Sequence, residues 1–65
     1  MTDLVLEPNI DRPDDLYADL LEAHEGLDEA ASAALNARLI LVLANHVGDR
    51  ELFRAALAAA RNAGA

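Results

Sequence analysis

With 65 residues the chain holds one domain at most, and with no cysteine it has no disulfide and lacks the main zinc ligand. A scaffold this small needs a stabiliser, and oligomerisation or close helix packing are the two left. The net charge of −7, with lysine absent, argues against nucleic acid as a partner and opposes adsorption to anionic membranes.

Residues 1–10 form an N-terminal arm. Pro8 blocks a helix there and biases Glu7 to an extended conformation. Leu4, Leu6 and Ile10 would stay wet unless the arm lies across the helices, so packing of the arm is the expectation. A single helical domain is expected over 11–65, and Asp11, Arg12 and Pro13 open it. Helix one is expected over about 12–25. Asp11 is the candidate N-cap, Pro13 suits the first turn, and Asp14 and Asp15 suit the positive helix end. Gly26 supplies the left-handed residue that ends it. Leu16, Leu20, Ala23 and Leu27 share one stripe at 100° per residue, flanked by Tyr17, Leu21 and His24, while Asp14, Asp15, Asp19, Glu22 and Glu25 take the other side.

Helix two is expected over 29–47, capped by Asp28 and stopped by Gly48. Its centre is the six-residue apolar run Leu39 to Ala44, far short of the ~20 residues that span a bilayer. With Asn36 set at zero, Leu43, Val47 and Ile40 fall within about 40° of it. Leu39 and Ala44 widen the apolar arc beyond what one antiparallel neighbour covers. Arg38, Asn45 and Asp49 gather on the opposite side, with His46 further round. Asn36 therefore reads as a buried polar residue that needs a partner, either an opposing backbone or its own symmetry mate, where it would set register. Helix three is expected over 50–63, capped by Asp49. Leu52, Ala56, Ala59 and Ala63 form its inner stripe, beside Phe53, Leu57 and Ala60, and Arg50, Arg54 and Arg61 form a basic stripe opposite. Short connections imply antiparallel neighbours. The expected fold is all-α, a three-helix antiparallel hairpin bundle with an extended arm, assembled as a homodimer.

Charge divides the chain. Residues 1–31 carry ten acidic residues against Arg12, and residues 32–65 carry Asp49 and Glu51 against four arginines. The acidic face of helix one is a solvated surface or a docking surface for a basic partner. Chemistry-bearing groups are few. Ser32, Thr2 and Tyr17 are the only hydroxyls, and His24 and His46 lack the HxxxH or ExxH spacing that puts two metal ligands on one helix face. No catalytic residue, metal or cofactor is expected, and the chain is not expected to be an enzyme. No basic segment opens it, so a soluble cytoplasmic protein is the default.

Three motifs carry a resemblance. They are Asp11, Pro13 and Tyr17; then His24, Gly26 and Leu27; then the core Leu35-Asn36-Ala37-Arg38-Leu39 followed by Leu43-Ala44-Asn45-His46 and Gly48-Asp49. Together they resemble a family of short uncharacterised bacterial proteins, a domain of unknown function with an L-N-A-R-L-x-x-x-L-A-N-H-x-G-D core. The resemblance spans about two thirds of the chain. It implies an accessory subunit alongside a flavin-dependent oxidoreductase, and it directs attention to Arg38, Asn45 and His46 as a candidate interaction surface. The leading expectation is a small non-enzymatic protein-interaction module, as a homodimer or bound to a larger protein. The alternative is a ligand- or metal-binding regulator, or a small enzyme, using His24, His46 and Arg38 across a dimer interface.

Overall fold

The computed structural model describes residues 4–64, which form three helices: α1 (Pro13–His24), α2 (Glu29–Val47) and α3 (Arg50–Ala63). The described residues hold no strand, so the fold is all-α. Two aspartates set two of the starts. Asp28 Oδ1 accepts from the Ala31 N–H at 2.8 Å and Asp49 Oδ1 from the Leu52 N–H at 3.0 Å. Each satisfies a first-turn donor that the helix cannot satisfy itself. Gly48 at φ 71° ends α2 by donating its N–H to the Ala44 carbonyl at 2.9 Å, and Asp49 then opens α3, so the connection takes two residues.

The third start corrects an expectation. Asp11 does not cap α1; the cap position belongs to Arg12, which sits in the left-handed region at φ 57°, ψ 61° and makes no side-chain cap bond. The cause is Pro13. Its ring disfavours helical geometry at the residue before it, so the helix begins at Pro13 and Asp11 lies one residue too far upstream. Arg12 contributes differently: its guanidinium meets Asp15 Oδ2 at 2.7 Å from Nη2 and 2.8 Å from Nε. At the other end Gly26 is left-handed as expected, at φ 79°, but α1 closes at His24, with Leu27 N–H reaching the His24 carbonyl at 3.2 Å.

Between Leu4 and Arg12 the arm has no helix or strand, and residues 1–3 of the expected arm lie outside the described residues. Leu4 is half-buried, whereas Leu6 and Ile10 are exposed, so the arm does not shelter those two. α3 lies against α2. Leu35 and Ala44 on α2 and Leu52, Phe53, Ala56 and Ala59 on α3 are half-buried, which places the inner stripe of α3 as its spacing predicts.

No described residue is fully buried. The radius of gyration is 13.5 Å, against ~11 Å for a compact chain of this length. The accessible surface is 5919 Å², against roughly 4,000 Å² for a compact protein of this mass. The helices are formed, but one chain does not enclose a core.

Candidate functional site

Asn36 and His24 make the one side-chain hydrogen bond between helices among the described residues. His24 Nε2 lies 2.8 Å from Asn36 Oδ1, and His24 Nδ1 lies 2.8 Å from the Leu20 carbonyl of its own helix. Asn36 is exposed in the single chain, where its partner is a histidine of α1 rather than a backbone group. With the Asn36 Oδ1 and the Leu20 carbonyl both accepting, the two imidazole nitrogens donate, an arrangement that favours the protonated ring; the neutral ring keeps both bonds when the Asn36 amide turns its N–H₂ toward Nε2. The two bonds hold its pKa above 6.5, the Leu20 carbonyl having the larger effect and Asn36 the smaller, against a small opposing effect of desolvation. With both nitrogens engaged, His24 has no free lone pair for a metal. Among the described residues no three histidine or carboxylate side chains gather into a metal-binding group.

Arg38, Asn45 and His46 are all exposed on α2. Arg38 and Asn45 share one stripe, as helical spacing requires, with His46 in the last turn near the negative helix pole. None of the three makes a side-chain hydrogen bond or ion pair among the described residues. Asp49 belongs to the α3 cap and leaves the stripe. The pairing of His24 with Asn36 was not read from sequence. The signal was present, since both side chains lie on apolar faces of adjacent helices.

Apolar surface dominates what remains. Leu41 and Val42, at 69% and 63% exposure, flank Arg38 and Asn45, while Ile40, Leu43 and Val47 on the other side are also exposed. α2 is therefore apolar nearly all round and open nearly all round. By length and composition alone it would span a bilayer. The hollows on the surface are shallow; one lies on α1 between Arg12, Asp15 and Asp19, and another is lined by Ala18, Leu21, Glu22 and Glu25. Neither gathers groups suited to acid–base or nucleophilic work.

No curated protein and no solved structure matches the chain. A family model described as "Protein of unknown function (DUF2783)" matches residues 4–62, nearly the whole chain, and the protein belongs to that family.

Proposed function

We propose that this protein is a non-enzymatic interaction module, a small accessory subunit of a bacterial cytoplasmic system, which works as a homodimer of antiparallel helical hairpins. The single observation that carries the reading is α2: a well-formed 19-residue helix on which Ile40, Leu41, Val42, Leu43 and Val47 stay exposed among the described residues. A helix apolar on every side is stable in water only when other elements enclose it. Contiguous exposed apolar surface marks association sites. A bilayer suits α2 less well than protein does. Arg38 stands at the helix midpoint, where a bilayer would charge ~2.5–3.5 kcal/mol for it on insertion scales. The acidic N-terminal half argues against nucleic acid.

The Arg38–Asn45–His46 stripe is the proposed contact with a larger protein, the flavin-dependent oxidoreductase implied by the family resemblance being the first partner to test. Three unpaired polar side chains on a rigid helix, next to exposed Leu41 and Val42, have the mixed character of an interface with an apolar centre and polar rim. Affinity capture from the native cell with wild type and with Arg38→Ala plus His46→Ala tests this. Loss of a specific protein from the variant is expected. Identical capture by both would remove the stripe from the interface.

A further inference from the structure

Two exposed stripes on different helices match one another. Asp14, Ala18, Leu21 and Glu25 lie at spacings of four, three and four along α1 and its cap, and Arg50, Arg54, Leu57 and Arg61 lie at the same spacings along α3. Each set falls on one helix face. Both put charges about 16 Å apart at their ends, acidic in one and basic in the other, with an exposed leucine in the same place. Leu21 is 54% and Leu57 52% exposed.

These stripes do not meet within the chain. The ion pairs among the described residues are local, Arg12 with Asp15 and Arg54 with Glu51. Asp14, Glu25, Arg50 and Arg61 are exposed, and none of them is in an ion pair. Area points to what covers them. Two separate chains expose twice 5919 Å², whereas one compact body of that combined mass would expose roughly 6,600 Å². The difference, about 5,200 Å², bounds from above what pairing can hide, since about 1,900 Å² of it per chain is the excess of the open single chain over a compact one.

We propose that a second copy of this chain seats its Arg50–Arg54–Leu57–Arg61 stripe along Asp14–Ala18–Leu21–Glu25 of the first. A two-fold axis along the helices repeats the seam and leaves the Arg38–Asn45–His46 stripe of each α2 free. This rests on the homodimer reading and adds its register: Asp14 meets Arg50 of the other copy, Leu21 meets Leu57, and Glu25 meets Arg61. The symmetry is closed, since each copy presents both stripes.

Charge reversal in pairs tests the seam. Asp14→Arg with Glu25→Arg, and Arg50→Glu with Arg61→Glu, each place like charges on both seams of their own dimer. Each variant alone is expected to self-associate roughly 10-fold or more weakly than wild type. An equimolar mixture restores opposite charges on both seams, so light scattering and native mass spectrometry should show a one-to-one heterodimer. Circular dichroism follows helix content throughout, and helix lost by either variant alone should return on mixing. Cysteine pairing supplies a second readout, because the native chain has none. Leu21→Cys mixed with Leu57→Cys should give a disulfide-linked heterodimer, while neither should cross-link alone. A wild-type dimer without this selectivity would overturn the seam and leave the homodimer standing. A wild-type monomer at micromolar concentration would overturn both, and helix gained only on anionic lipid vesicles would assign the open faces to a bilayer instead.

Discussion

Protonation of His24 is the smallest change that alters how α1 meets α2. As the cation it donates to Leu20 and Asn36 together; as the neutral ring it keeps one of those bonds, and the other survives only if the Asn36 amide turns to present its N–H₂. The folded ring has a pKa raised above 6.5, so its contribution to stability is complete below the unfolded value and is lost as pH rises through the folded one. Thermal unfolding at matched concentration should therefore show the chain losing stability from about pH 6.5 upward. In Asn36→Leu that loss should shrink, and the His24 titration followed by NMR should move to lower pH. An unchanged His24 titration in the variant would show that the bond is not made in solution. Asn36 stood out in the sequence because a lone amide on an apolar face demands a partner. The partner was not legible, because it lies twelve residues away and depends on how two helices meet.

Helix ends are where the sequence was most readable. Asp28 and Asp49 sit immediately before amphipathic runs, and a short carboxylate there reaches the free N–H three residues on. Asp11 looked equivalent, but the proline two residues later moves the start past it. Alanine substitution separates these cases. Asp49→Ala and Asp28→Ala should each lose about 1 kcal/mol in urea denaturation at fixed protein concentration, while Asp11→Ala should lose little. Gly48→Ala should cost about 1–2 kcal/mol. A methyl group there meets only the Asn45 carbonyl at 3.8 Å, an ordinary contact, so the cost comes from holding alanine at φ 71°. If Gly48→Ala and wild type unfolded alike, the left-handed turn would not be fixed at that residue.

At the scale of the whole molecule, helix formation and enclosure of a core come apart. The apolar arc of α2 told that more than one neighbour was needed, and the small stripe of α3 supplied one of them, at Leu52, Phe53, Ala56 and Ala59. Periodicity marks which face seeks cover, not which chain provides it, so the extent of exposure at Leu41 and Val42 was not legible. If association completes the fold, stability must depend on concentration. The urea midpoint should rise steadily over a hundredfold increase in protein, each tenfold step being worth about 1.4 kcal/mol of dimer free energy. A midpoint independent of concentration would mean that the monomer is the folded unit.

Arg38, at the middle of α2, also makes the helix a reporter of its own opening. An arginine-directed protease finds no ready bond at Arg12, since Pro13 follows it; Arg38 is its first usable site, and the next is Arg50. A peptide bond inside a helix is cut only after the surrounding turns unwind, and the rate follows the population of the opened state when closing is fast. The yield of the fragment ending at Arg38 therefore counts how often α2 opens. Whatever encloses α2, a second copy or another protein, should slow that single cut.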